Sequence, residues 1–415
     1  MKQTSRIIST YSADTMGVCS ALFELGGMTI MHDASGCNST YTTHDEPRWY
    51  SMDSMVYISA LTEMEAIMGD DEKLLGDIED AVRELNPKFV AIAGTPIPTM
   101  TGFDFEAVAA VAEQRTGVPC MGFATTGMNT YIHGASLAFE ELAKRFVKDP
   151  AEICEDEAPK DEENGDKGVP QKKLKVNILG LTPLDFSVNG QDDSIAAWLE
   201  SENFEIVSRW AMGSTLDEIA MAGVADVNLV VSASGLRAAR VLFERFGTPY
   251  AVGLPIGDEL SGLLADQIKI NAPKFKNASS FEECEISVHS GLFLGTDADS
   301  YKDGFVAVIG EGVASLSLAS AIELECGIPA KVLCTTECPE DMLRECDIMT
   351  PDEEGVIAAV EGAAIIIADP LYKAVCSPEA KFISLPSEAF SGRLYRPEIP
   401  NLISDFEDFS KLIIL

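Results

Sequence analysis

The chain has 415 residues, 46% of them hydrophobic, ten cysteines and a formal net charge of −37. Its length exceeds one ordinary compact domain and sets an expectation of two or three. Its acidity, with no basic stripe to offset it, argues against nucleic acid and anionic membranes as partners.

No uninterrupted apolar run reaches the roughly 18 residues of a membrane span. The opening Met1 to Arg6, followed by Ile7-Ile8 and polar residues, lacks the apolar core of a secretory signal. Ten cysteines without small-domain spacing suit a reducing compartment, so a cytoplasmic protein is expected.

Short β-rich runs alternate with helical stretches, the pattern of parallel α/β sheets. In chain order the pattern predicts a helix over 14–25, strands at Met28–Met31 and Met55–Ile58, and a helix over 71–85. A strand at Phe89–Ala93, a helix over 104–116, a strand at Val118–Met121 and a helix over 130–147 follow. Residues 152–166 then hold eight acids with Pro159, Asn164 and Gly165 among them, and read as a solvated linker. Beyond it, strands are predicted at Lys175–Gly180, Val227–Val231, Tyr250–Val252, Phe305–Gly310, Ala330–Cys334 and Ala364–Ala368. The simplest organisation is three doubly wound modules: 1–150, a linker over 151–172, 173–275, and 276–415 with a C-terminal extension.

Ligands of such sheets sit outside the carboxyl ends of strands. Three ends carry small residues that would let a backbone approach a ligand: Gly180-Leu181-Thr182-Pro183, Ser232-Ala233-Ser234-Gly235 and Gly310-Glu311-Gly312. The last is followed by Val313-Ala314-Ser315 without the third glycine of a dinucleotide loop, and reads as a plain strand-to-helix turn. The chain has no Gly-x-x-x-x-Gly-Lys-Ser/Thr loop, so any ATP hydrolysis belongs to a partner.

Cys19 is predicted near the start of an amphipathic helix ending at Gly26-Gly27, where a helix N-terminus favours thiolate over thiol. Cys37 follows Gly36 in the loop after the first strand. By spacing alone the two are better read as ordinary buried cysteines, since seventeen intervening residues make no recognised local metal motif. Cys326, Cys334, Cys338 and Cys346 form a second group; separate burial explains them better than a four-thiol metal site. Cys154, in the acidic linker, reads as exposed and unrelated.

The order of Cys19, Gly26-Gly27, a strand, His32-Asp33-Ala34-Ser35-Gly36-Cys37 and the segment Ile58 to Asp70 resembles nitrogenase component 1. That family shows a cysteine, an HGPxGC-like turn and a serine, glutamate and glycine segment before a helix, in this order. The resemblance continues at Phe246-Gly247-Thr248-Pro249-Tyr250, similar to the family's YGIPW step, and at Ala389-Phe390-Ser391-Gly392-Arg393. It covers nearly the whole chain.

The resemblance implies an α/β fold of three Rossmann-like doubly wound parallel-sheet domains, in a two-subunit reductase or cofactor scaffold served by an ATP-hydrolysing iron-sulfur partner. Cys19 and Cys37 match the first two interface-cluster cysteines, and the third falls on Thr95. Two copies of Cys19 and Cys37 would supply the four thiolates of one [4Fe-4S] cluster shared across a homodimer interface, with a paralogous subunit as the alternative partner. Asp33 is the substitute iron ligand where a thiolate is missing, or else shapes the loop with His32.

In the family a cysteine and a histidine hold the active-site cofactor. Val230-Val231-Ser232-Ala233-Ser234-Gly235 stands where that cysteine belongs, and no histidine follows His289. An iron-molybdenum cofactor bound in the usual way is therefore not expected. The loop Tyr41 to Tyr50 concentrates titratable and aromatic groups for a pocket or a subunit contact, with His44 and Arg48 suited to proton donation or anion binding.

The expected function is the catalytic component of a nitrogenase-like reductase, passing low-potential electrons through the cluster to a small organic substrate. A scaffold for metallocofactor assembly and a non-redox ligand-binding protein are the alternatives.

Overall fold

The computed structural model describes residues 6–7, 13–36, 38–39, 41, 45–53, 55–156, 173–276, 278–287, 304–350 and 352–414. Among the described residues fourteen strands form three sheets, and every ladder is parallel. The first sheet contains β1 (Met28–Met31), β2 (Met55–Ile58), β3 (Val90–Ala93) and β4 (Cys120–Phe123), in the order β2-β1-β3-β4. The second contains β5 (Lys175–Leu179), β6 (Glu205–Arg209), β7 (Val227–Val230), β8 (Tyr250–Val252) and β9 (Glu285–Ser287), in the order β6-β5-β7-β8-β9. The third contains β10 (Phe305–Gly310), β11 (Ala330–Cys334), β12 (Ile348–Met349), β13 (Ala363–Ala368) and β14 (Lys381–Ser384), in the order β12-β11-β10-β13-β14.

Each sheet reverses its winding once: at β1/β3, β5/β7 and β10/β13. The central strands read as unbroken apolar runs, such as Val90-Ala91-Ile92-Ala93, because helices cover both faces of a parallel sheet. The three doubly wound modules expected from the sequence are therefore present.

Three local expectations change. The second sheet does not close at residue 275, because β9 pairs with β8 beyond that point through Tyr250↔Glu285 and Val252↔Ser287. With only Ile286 apolar between Glu285 and Ser287, this short edge strand carries no hydrophobic run to betray it. The acidic stretch begins as the helix Pro150–Asp156, and residues 157–172 lie outside the described residues. The fourth strand starts at Cys120, two residues later than expected, since Val118-Pro119 only leads into it.

The helix Asp14–Leu22 is buried along its whole length and packs on the helix Tyr131–Arg145. Glycines permit the close crossing. A Cβ on Gly17 would stand 1.9 Å from the carbonyl oxygen of Tyr131, and one on Gly134 would stand 1.7 Å from that of Asp14. The buried carboxylate of Asp14 fixes the entry to the helix by accepting from Gly127 N at 2.7 Å, Thr126 N at 3.1 Å and Asn129 Nδ2 at 2.9 Å. One contiguous apolar core runs through all three modules and includes Val18, Ala91, Val230 and Ile309.

Candidate functional site

Cys19 is the sixth residue of its helix, not a first-turn residue, and the helix is buried all round instead of amphipathic. A helix dipole acts within the first turn, so it does not favour the thiolate here. Burial, and then the negative charge of Glu46, push the Cys19 thiol well above its ordinary value. The side chain sits in a small cluster with Met16, Phe23, Met31, Tyr41 and Val56. Cys37 and His44 lie outside the described residues.

The turn leading towards Cys37 is braced from three sides. Ser59 Oγ pairs with His32 Nδ1 at 2.9 Å and accepts the amide of Asp33 at 3.1 Å. Asp33 accepts Ala34 N at 2.8 Å and Asn38 Nδ2 at 3.0 Å. Thr95, which the sequence resemblance sets against the family's third cysteine, donates its hydroxyl to the carbonyl of His32 at 2.9 Å. Burial pulls His32 down to about 4, which keeps the ring neutral as it packs 4.3 Å from Phe103.

Arg48 is buried and its guanidinium is committed to the protein. Nε donates to Glu46 at 2.7 Å, Nη1 to Glu24 at 3.0 Å and to the carbonyl of Ala211 at 3.1 Å, and Nη2 to the carbonyl of Ser20 at 2.7 Å. Tyr41 donates to the other oxygen of Glu46 at 2.7 Å. Arg48 thus ties the segment after Cys37 to the Cys19 helix and to the second module. Sequence reasoning set Arg48 for proton donation or anion binding; here its guanidinium already neutralises the carboxylates of buried Glu46 and partly buried Glu24.

A second region lies where the three modules meet. A cavity of about 90 Å³ is lined by Tyr131, by Asp185 and Phe186 after β5, by Glu311 after β10, and by Asp369 and Tyr372 after β13. Apolar residues such as Leu254, Leu318 and Phe390 complete it. The three strand ends singled out in the sequence converge beside it. Their small residues admit one another's backbones: a Cβ on Gly235 would meet the Leu179 carbonyl carbon at 2.7 Å.

Glu311 explains the Gly-x-Gly turn. Its carboxylate accepts Ala314 N at 2.8 Å, capping the helix Gly312–Ala321, and Ala233 N at 2.9 Å from the second module. The chain's own carboxylate occupies the donors that would face a phosphate, in accord with the plain-turn expectation. Tyr131 donates to Oδ1 of Asp185. Among the described residues Oδ2 is buried without a hydrogen-bond partner, the nearby Ser232 hydroxyl being turned to Ser234 at 3.0 Å. Burial, together with the charge of Glu311, pushes the Asp185 carboxyl up to about 8.

The donors facing this cavity are carboxylates, phenols, hydroxyls and an amide. Among the described residues that line it there is no cysteine, histidine, lysine or arginine. A cofactor hung on one thiolate and one imidazole does not fit them. No three histidine, cysteine, aspartate or glutamate side chains gather for a metal elsewhere among the described residues. Sequence reasoning missed Asp185, Tyr131, Asp369 and Tyr372; their nearness to strand ends was the signal. Of the four later cysteines, Cys334 and Cys338 come together near Gly312, while Cys346 turns to Asp347.

Residues 14–361 match the family described as nitrogenase component 1 type oxidoreductase. Similar curated proteins include the nitrogenase iron-molybdenum cofactor biosynthesis protein NifE of Clostridium pasteurianum, 25% identical over 60% of this chain and 51% of that one. The protein of the same name from Methanosarcina barkeri is 28% identical over 46% and 39%. The nitrogenase molybdenum-iron protein alpha chain of Azospirillum brasilense is 23% identical over 59% and 51%. The chain thus spans about half the length of the curated relatives it matches. The solved structure of nitrogenase Cp1 at pH 5 shares the fold, with a TM-score of 0.62 at 17% identity over 100% of this chain and 90% of that chain.

Proposed function

Because the chain belongs to the nitrogenase component 1 type oxidoreductase family, we propose that it is a scaffold on which a metallocofactor is assembled and from which it is released. One observation carries this reading: the three-module cavity offers oxygen donors and no thiol or imidazole among its described lining residues. Carboxylates and phenols are harder ligands than thiolates and hold iron-sulfur metal less firmly, which suits transit over permanent residence. The relatives named for cofactor biosynthesis support the same reading.

In this proposal Cys19 and Cys37 contribute half of the ligands of one [4Fe-4S] cluster, and a second copy or a paralogous subunit contributes the rest. An exposed apolar face supports a covering chain. Met64, Ile67 and Met68 on the helix Glu63–Met68, and Met100 on the touching helix Pro96–Thr101, are solvent-facing, with Met100 87% exposed. This face flanks Thr95, beside the turn to Cys37. An ATP-hydrolysing iron-sulfur protein is the proposed source of electrons.

A second reading, the nitrogenase-like reductase acting on a small organic substrate, draws on Asp185. A carboxyl that keeps its proton near neutral pH beside Tyr131 would serve as the acid for a substrate held in the cavity.

Anaerobic purification, iron and sulfide counting and EPR of the reduced protein test the shared cluster. About four irons per dimer, lost in Cys37→Ala, are expected. Iron-free protein that still dimerises would sink the cluster. Incubation of the loaded protein with an apo-acceptor then separates the two readings: a scaffold hands over metal, whereas a reductase retains it and consumes electrons only with substrate.

A further inference from the structure

The sulfur atoms of the third module take no part in either reading. Cys334 ends β11, Cys338 follows in the next loop, and Met342 closes the short turn Glu340–Met342. Cys338 Sγ lies 3.5 Å from Met342 Sδ. The vacant Cβ position of Gly312 is 2.6 Å from Cys338 Sγ and 3.6 Å from Cys334 Sγ. Both thiols therefore pack against the bare α-carbon of Gly312, Cys338 so closely that a side chain at 312 would collide with its sulfur, and the thioether lies against that same thiol.

The sulfur cluster is held in place by the surrounding fold. It lies at the carboxyl ends of β10 and β11, where doubly wound sheets bind ligands. Thr350 N donates to the carbonyl of Cys334 at 2.7 Å. Glu337 accepts the amide of Thr130 from the first module at 2.9 Å. Just after Met342, the buried guanidinium of Arg344 donates to Asp347 at 2.7 Å and to Glu323 at 3.0 Å. Cys334 is fully buried and the other two residues are partly so.

We infer that Cys334, Cys338 and Met342 form a binding site for a soft monovalent metal ion of the cuprous class. Thiolate and thioether donors select such an ion over hard cations. Two thiolates and a thioether suit its low coordination number, whereas structural zinc takes four ligands. No third histidine, cysteine, aspartate or glutamate joins the two thiols among the described residues. The site is separate from Cys19 and Cys37 and stands whether the chain is a scaffold or a reductase.

The test offers cuprous ion, as its bicinchoninate complex, to the full-length chain under anaerobic conditions. Met342→Leu keeps the volume of the side chain, Cys338→Ser removes a thiol, and Gly312→Ala removes no sulfur but puts a methyl where it must push the Cys338 thiol aside. Cys376→Ser is the control, and unfolding midpoints verify that each variant is folded. The expected result is strong competition by the wild type and the control, and competition weakened at least roughly tenfold in Cys338→Ser and in Met342→Leu. Gly312→Ala is expected to weaken it as well. X-ray absorption of the loaded chain should show a sulfur-only shell that loses a scatterer in Met342→Leu. Competition unchanged in folded Cys338→Ser and Met342→Leu, or displacement of the ion by equimolar zinc, would overturn the inference.

Discussion

Tyr131 and Asp185 join two modules by a hydrogen bond from phenol to carboxyl, and the second carboxyl oxygen is buried without a partner among the described residues. Burial comes first and the charge of Glu311 second in pushing Asp185 up to about 8, against an ordinary value of 3.8. Between those values the folded chain keeps a proton that the unfolded chain releases. Stability therefore falls as pH rises through this window and levels off above it. Asp185→Asn should abolish this loss, worth on the order of a few kcal/mol. Urea unfolding of both proteins at the two ends of the window checks it; parallel behaviour would remove Asp185 from the account.

Arg48→Ala should destabilise the chain by about 3–5 kcal/mol, because it strands Glu46 and Glu24 beside the Cys19 helix. Denaturant unfolding measures the loss. Removing the arginine and both acids together should cost much less than the single change, since the largest part of the penalty is the unpaired buried charge.

Gly17→Ala should cost about 1–3 kcal/mol by overpacking the crossing with the helix Tyr131–Arg145. The same change moves the helix that carries Cys19. Under the shared-cluster proposal, iron content should drop even where circular dichroism shows the chain folded; full iron retention would separate the crossing from the cluster.

Met100→Glu and Ile67→Asp alter side chains that are exposed in the single chain. They should leave the stability of the isolated chain within about 0.5 kcal/mol. Sedimentation should nevertheless show a weakened assembly, because each places a charge in the proposed contact. Dimers that persist with wild-type affinity would assign the interface to another face.

The periodicity of apolar runs made the central strands legible: Phe305–Gly310 was read to the residue, and Met28–Met31 likewise. The edge strands of the second and third sheets escaped that reading, whereas those of the first did not. Glu205–Arg209 and Glu285–Ser287 are partly exposed and carry charges, so they lack the signal that burial imposes on a centre strand. Arg48 was visible as a residue but its partners were not, because Glu24, Ser20 and Ala211 reach it only through folding. The cavity was half visible: its strand ends were marked by glycines and serines, yet Asp185 and Tyr131 are distant in sequence and neither sits in a local motif. Met342 became informative only when its sulfur was found beside that of Cys338.

The core that includes Val18, Ala91, Val230 and Ile309 belongs to no single sheet. A chain assembled as three independent beads would melt in steps, each module keeping its own interior. Here the interior of each module is partly walled by the others, and the helix Tyr131–Arg145 of the first module also packs on the helix Leu236–Phe246 of the second. Heat should dismantle this chain in one cooperative calorimetric transition, and the N-terminal module made alone should expose the apolar wall that its neighbours cover.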